Sequence, residues 1–376
     1  MANNITINQH YVPQFLLNRF GYGDDDNKKI SIYDIRKDEI RNNQSIKENF
    51  SQNYFYDVDN FIENFLEQQI ETPASNAVSK IVKHDLTPIK QPKSDNYALL
   101  KFICCQQSRT VQAREDAITF INEHFKQIVA THFRLKDIDA DPNHYKIVPK
   151  GKDGKRNIMA NVALGGIIDS KAMEDLTLHL LVNKTKREFI IADHPVARYN
   201  QFYQDLNDPR MSSLTARGLQ LFLPLSPTLY LCVYDSTVYK YGTKKSFITE
   251  IQEINDVDYL NELQARGALS YLAFKSESMG SYVRTIGKKF SGLSIYKRCS
   301  DQVSDEQIDE TRVKNTFMVF TTQRKLKTGL TAIKILKKAK PYSTCFQERS
   351  PDVSAELMQL KQSVRANRVH RAAEPK

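Results

Sequence analysis

A rigid break stands ten residues into the chain, in His10-Tyr11-Val12-Pro13-Gln14-Phe15-Leu16-Leu17-Asn18-Arg19-Phe20. Pro13 fixes its own φ and drives Val12 out of the α region, so His10 to Val12 runs extended. Beyond the proline, the spacing of Phe15, Leu16, Asn18, Arg19 and Phe20 suits a short helix with Pro13 near its first turn. An extended-to-helix junction holds His10 where a side chain can point into a cleft. The same geometry also suits a packed, hydrogen-bonded histidine, and a lone His does not choose between the two.

The pattern after this break alternates between strand and helix signals. Residues 21 to 28 read as a turn-rich loop, Lys29 to Ile35 as a strand, and Asp38 to Arg41 as its hairpin partner. Val58, Phe61, Ile62, Phe65, Leu66 and Ile70 fall at helical spacing. Asp57 or Asp59 can cap that helix, and Pro73 is expected to interrupt it before a second helix running to about His84. Asp95 to about Arg134 reads as one or two long helices, and Asp139 to Arg156 as an exposed loop. Leu178 to Asn183 and Glu188 to Ala192 read as a hairpin joined by Lys-Thr-Lys-Arg. Leu219 to Leu223 and Thr228 to Tyr234 flank a Pro-Leu-Ser-Pro turn, and Asp256 to Lys275 reads as one Asp-capped helix. The fold class is therefore α+β, a helical subregion packed on a mostly antiparallel sheet. Residues 1–275 form the core, with 1–140 and 155–275 as its helical and sheet halves, and 276–376 is a C-terminal extension.

Composition limits the setting more than the chemistry. The chain has 376 residues, 40% of them apolar and 26% charged, as in ordinary globular proteins. Five cysteines, with no Cys-x-x-Cys, support neither a disulfide framework nor a zinc ribbon and favour a reducing cytosol. The first twenty residues carry no secretory pattern, and no run approaches the roughly 18 apolar residues of a membrane helix. A cytoplasmic location without membrane contact is expected. The net charge of +10 is concentrated: Arg324 to Lys376 holds 13 Lys/Arg against 4 Asp/Glu, leaving the body nearly neutral. Such a segment, with Lys325, Lys337 and Lys338 among its cations, attracts phosphate backbones in a salt-dependent way; the alternative is a solvated basic tail.

Common catalytic signatures are absent: there is no phosphate-binding loop, no His-Glu-x-x-His and no Gly-x-Ser-x-Gly. Cys104 and Cys105 lie in an apolar helical stretch, where inert packing is expected. A different set of phrases stands out in order along the chain. After the opening motif come Asn53-Tyr54-Phe55-Tyr56, Ile62-Glu63 with a second acid at Glu71, and Gln106-x-x-Arg109-Thr110. Then follow Phe189-Ile190-Ile191-Ala192-Asp193-His194-Pro195, Pro224-Leu225-Ser226-Pro227 and Asn261-x-x-Gln264-Ala265-x-x-Ala268. Over roughly residues 8 to 275 this series resembles the mainly bacterial family called domain of unknown function 4238. One departure is Ala192, where the family usually has Ser or Thr.

The polar residues inside these phrases are the candidates for chemistry. Asp193 ends an apolar run, and Pro195 forces His194 extended, so a carboxylate is presented at a strand end; capping a turn is its structural alternative. Glu63, Glu67 and Glu71 form an i, i+4, i+8 ridge in which Glu63 borders the apolar face. Gln106 and Arg109 share one helix face, and Arg109 either grips an anion or pairs with Glu63 or Glu71. If these residues converge, His10, Glu63, Asp193 and Arg109 serve as catalytic groups, with Gln106, His194 and the C-terminal lysines binding substrate. Glu63, Glu71 and Asp193 would then hold Mg2+ or Mn2+.

That is the kit of a metal-dependent, nuclease-like phosphodiester hydrolase. The resemblance adds the expectation of a defence or toxin effector, with a partner protein encoded in the same operon. Two alternatives stand beside it. One is a non-catalytic nucleic-acid-binding or sensor module whose motif residues are internal ion pairs. The other is a metal-free nucleotide-modifying enzyme of the NAD glycohydrolase or ADP-ribosyl transferase type.

Overall fold

A computed structural model describes residues 5–24, 27–90, 94–206, 208–242, 246–291, 296–307, 313–323 and 329–373, by backbone alone in 296–307, 313–323 and from 365 onward. The opening motif has the expected form. Asn8–His10 is a strand antiparallel to Ser51–Asn53, and Pro13, at φ −60° and ψ 141°, turns the chain into the short helix Gln14–Leu17. Leu16, Leu17 and Phe20 are fully buried, which anchors this junction in the core.

The fold is α+β. One sheet has five strands in the order Ile248–Ile251, Thr177–Asn183, Leu229–Tyr234, Gln220–Ser226 and Ala197–Tyr199. Its first pair is parallel and the others are antiparallel. A second, wholly antiparallel sheet runs Glu39–Ser45, Lys29–Asp34, Tyr271–Phe274 and Ile191–Ala192. The helices Thr72–Val82, Ser94–Ser108, Val111–Leu135 and Gly151–Asp169 form the helical subregion.

Several sequence expectations change, each for a local reason. Pro73 does not break the helix that begins at Phe61. A π-type turn over Glu67–Glu71 precedes it and absorbs the irregularity, so the helix continues to Val82. The polar stretch expected as a loop through Arg156 becomes helical from Gly151. Glu188 to Ala192 does not form a hairpin with 178–183; only Ile191–Ala192 is a strand, and it joins the other sheet. The helix expected over Asp256 to Lys275 ends at Gly267 and is followed by the strand Tyr271–Phe274. Asp256 does not cap that helix; its carboxylate accepts from the Thr331 amide (2.9 Å) and hydroxyl (2.7 Å).

Residue 275 is not a boundary in space. The helix Gly280–Phe290 buries Val283 and Ile286 with Tyr33 and Leu272 of the four-stranded sheet. Arg349 donates to Ala172 O and reaches Asp175 at 2.6 Å, which ties the C-terminal part to the helical subregion. The largest apolar core also joins both expected halves of 1–275, running from Tyr11 and Leu16 through Phe102 and Met159 to Leu223 and Leu231.

Candidate functional site: a buried arginine hub and a docked basic strand

The helix Ser94–Ser108 places Gln106 near its end, and Arg109 follows in the break before Val111–Leu135. Arg109 is fully buried. Its Nη2 donates to His10 O at 2.7 Å and its Nε to Tyr56 Oη at 3.0 Å. Nη1 lies 2.6 Å from Glu71 Oε1, an ion-pair contact without hydrogen-bond alignment. Tyr56 Oη lies 3.1 Å from Arg109 O and 3.2 Å from His10 O. All three guanidinium nitrogens are thus engaged by the protein, and the cation ties the opening strand to the Asn53–Tyr56 phrase and the π-type turn. Gln106 Nε2 donates to Tyr11 O at 2.8 Å, so it too holds the opening motif.

His10 belongs to the same hub. Its Nε2 lies 3.2 Å from Ile46 O and therefore carries the proton, while Nδ1 faces Gln14 Nε2 at 3.5 Å. Burial holds its pKa below the ordinary value. Glu63 is the unsatisfied member: its Oε2 is buried without a hydrogen-bond partner. Burial pushes its pKa up to about 7, with Arg109 pulling it down and Glu71 and Asp57 adding to the rise. Asp57 caps the Phe61–Leu66 helix at the Ile62 amide and also accepts from Gln9 Nε2.

Asp193 has a separate role from the metal or catalytic carboxylate expected of it. Its Oδ1 accepts from the Leu269 amide at 2.9 Å, and its Oδ2 from Ser270 at 2.7 Å and Tyr271 at 3.1 Å. Burial raises its pKa to about 6 against the pull of these three amides. Asp193 therefore fixes the turn that ends the Ile254–Gly267 helix and starts the next strand. His194 Nδ1 lies 2.7 Å from Thr110 Oγ1, which also accepts from the Ala113 amide as the N-cap of the Val111–Leu135 helix. Burial lowers the His194 pKa to about 4. The pair joins the helical subregion to the sheets.

Asn261 and Gln264 explain why the 188–192 segment makes no hairpin. Asn261 Oδ1 accepts from Ile190 N, and its Nδ2 donates to Glu188 O. Gln264 Oε1 accepts from Ala192 N, and its Nε2 donates to Pro195 O and Tyr230 Oη. Two side-chain amides on one helix face thus take the place of a neighbouring strand. Among the described residues, no three His, Cys, Asp or Glu side chains are grouped to hold a metal ion.

Asp57 was expected as a helix cap and serves as one, while Tyr56 and Thr110 stood in the motif phrases with no role assigned and Gln9 was not singled out by sequence reasoning. For Thr110 the signal was present: a Thr directly before a helical run is an N-cap pattern. Nothing local marks Gln9, whose Oε1 accepts from Tyr56 N 47 residues away.

The C-terminal lysines sit elsewhere. Lys325 lies outside the described residues. Ile333–Ile335 pairs antiparallel with Tyr239–Tyr241, Leu336 N donates to Val238 O, and Ala339 is fully buried. The exposed side chains of Lys334, Lys337, Lys338 and Lys340 are therefore carried on a docked segment. Beside it lies a pocket of about 260 Å³ whose lining includes His179, Tyr234, Tyr239, Tyr241, Lys240 and Leu336.

These phrases define a protein whose motif residues hold one junction together. The chain belongs to the family described as Protein of unknown function (DUF4238), which matches residues 8–278. No curated protein and no solved structure matches it. No helix among the described residues is long and apolar enough to cross a membrane.

Proposed function

We propose that the chain is a nucleic-acid-binding module whose contact surface is the docked basic segment. The observation that carries this reading is the pairing of Ile333–Ile335 with Tyr239–Tyr241. It fixes Lys334, Lys337, Lys338 and Lys340 on the body, next to Lys240 and the aromatic-lined pocket. Ammonium groups on a fixed segment contact a phosphate backbone with less entropy to lose than a free tail has. The engagement of Arg109 and Asp193 by the protein itself supports a non-catalytic role for the motif.

The test is fluorescence anisotropy with labelled single-stranded and duplex 20-mers across a salt series. For the single strand, log K should fall by roughly 0.7 per unit of log salt for each phosphate neutralised. Replacing Lys337 and Lys338 with Gln should weaken binding and reduce the slope by roughly 1.4. Salt-independent binding, or an unchanged slope in the double variant, refutes the reading.

One observation favours a second reading, a metal-dependent phosphodiester hydrolase. Glu63 has a buried, unpartnered oxygen and a pKa near neutrality beside Glu71, as a general base requires. Its carboxylates fit a metal poorly, because Glu71 is paired with Arg109 and Asp193 with three amides. Mg2+- or Mn2+-dependent cleavage of a labelled oligonucleotide, lost in Glu63→Gln, is the result that establishes it.

A further inference from the structure

Phe61, the most exposed large apolar side chain among the described residues, opens the helix Phe61–Leu66 and is 73% exposed. Phe65 stands one turn on, at i+4 on the same helix face, and is exposed too. Val58 and Ile7 are each about half exposed. The four side chains are neighbours. Gln9 Nε2 donates to Asp57 O at 3.0 Å and lies 3.4 Å from Thr6 O, so Thr6–Ile7 runs beside Asp57–Val58. Asp57 Oδ2 accepts from the Ile62 amide and Asp59 Oδ1 from the Phe61 amide at 3.2 Å, which draws Val58 up to the start of the helix. Single exposed apolar residues are ordinary. At roughly 200 Å² for a whole large side chain, these four leave a few hundred Å² of apolar surface together, a size that marks interaction sites. The same stretch is acidic: residues 57–71 hold five Asp/Glu and no Lys or Arg. Among the described residues its one ion pair is Glu71 with the buried Arg109. The helix that carries the two rings therefore also carries negative charge that no cation neutralises, and Asp59 and Glu67 are exposed on it.

We propose that this face docks a basic amphipathic segment of a partner protein, its apolar side chains on Phe61, Phe65, Val58 and Ile7 and its Lys or Arg groups against Asp59 and Glu67. Charge selects this occupant. Two copies meeting through this face would set carboxylates against carboxylates, and an anionic lipid surface would meet the same repulsion. The face shares no residue with the basic strand and stands independently of the nucleic-acid reading. Fluorescence anisotropy of the full chain with a labelled Leu/Lys amphipathic helix peptide tests it, against Leu/Glu and Gly/Lys counterparts and with sedimentation velocity alongside. The Leu/Lys peptide should bind saturably, more weakly as salt rises, and each counterpart about tenfold or more less tightly. Phe61→Ser should weaken Leu/Lys binding by about tenfold or more, the loss of one buried Phe side chain. Glu67→Lys should weaken it and flatten its salt dependence. Phe61 lies outside the core, so its replacement spares the fold, and Phe65→Ser gives a second reading of the same face. The Lys337→Gln/Lys338→Gln variant should bind the peptide as the parent does. The proposal is overturned if the Leu/Lys peptide does not saturate at millimolar concentration, or if either counterpart binds as tightly. It is equally overturned if Phe61→Ser and Phe65→Ser leave the affinity unchanged, or if the chain forms a dimer that Phe61→Ser dissociates.

Discussion

Glu63→Gln should make the protein more stable at alkaline pH while leaving it nearly unchanged at acid pH. The carboxyl is buried beside Glu71 and Asp57, with Arg109 the attractive charge, and its pKa is raised from 4.5 to about 7. Folding therefore takes up a proton at this site between those values. The stabilisation from the protonated form is complete below about 4.5 and is lost as pH rises through about 7. At about 1.4 kcal/mol per pKa unit, a rise of this size amounts to at most about 3 kcal/mol at pH 8.5. Glutamine keeps the shape and cannot ionise, so the variant escapes this loss. Urea unfolding at steps from pH 5 to 8.5 measures it. Asp193 and the buried histidines titrate in both proteins and cancel in the difference between them. The difference should be under about 1 kcal/mol at pH 5, grow to about 3 kcal/mol by pH 7 and level off above it. Parallel curves for parent and variant across that range refute the desolvation of Glu63. If the variant also loses a metal-dependent cleavage activity, the same carboxylate trades stability for function, and the hydrolase reading displaces the binding one.

Two further outcomes follow from the hub and the turn. Arg109→Met should destabilise by about 3–5 kcal/mol, the cost of leaving Glu71 without its buried partner, and adding Glu71→Gln should recover part of it. Urea midpoints for the single and double variants check this, and additive losses refute the pairing. Asp193→Ala leaves one buried and two partly buried amides without their acceptor, at up to about 1–3 kcal/mol for the buried one, and should abolish hydrogen-exchange protection at Leu269, Ser270 and Tyr271 before the rest of the sheet. Unchanged protection at those amides sinks the turn-fixing role.

What the sequence made legible was the local structure. The junction at Pro13, the Lys29–Asp34 hairpin, the paired strands around Pro224 and the long helices before Leu135 all follow from dihedral limits and apolar spacing. The helical stretch 151–169 was hidden by its glycines and polar opening, which resemble a loop until tertiary contacts bury Met159 and Ala163. The segments around 190 and 270 were misread for one shared reason. Each is held by side chains and strand partners distant in sequence, so neither periodicity nor propensity carries the answer.

Asp193 shows why a site is harder to read than a strand. A carboxylate at a rigid break, beside a histidine, has the sequence look of a catalytic group. The break itself creates the demand that the carboxylate meets, because a helix that stops in the core and restarts as a strand leaves amides at Leu269, Ser270 and Tyr271 needing an acceptor. An ionised carboxylate is the shortest side chain that accepts from all three at once. The same logic covers Arg109, whose fork is the side chain able to reach a carbonyl, a phenol and a carboxylate from one buried position. Both phrases read as chemistry because folding this junction requires charged groups inside it.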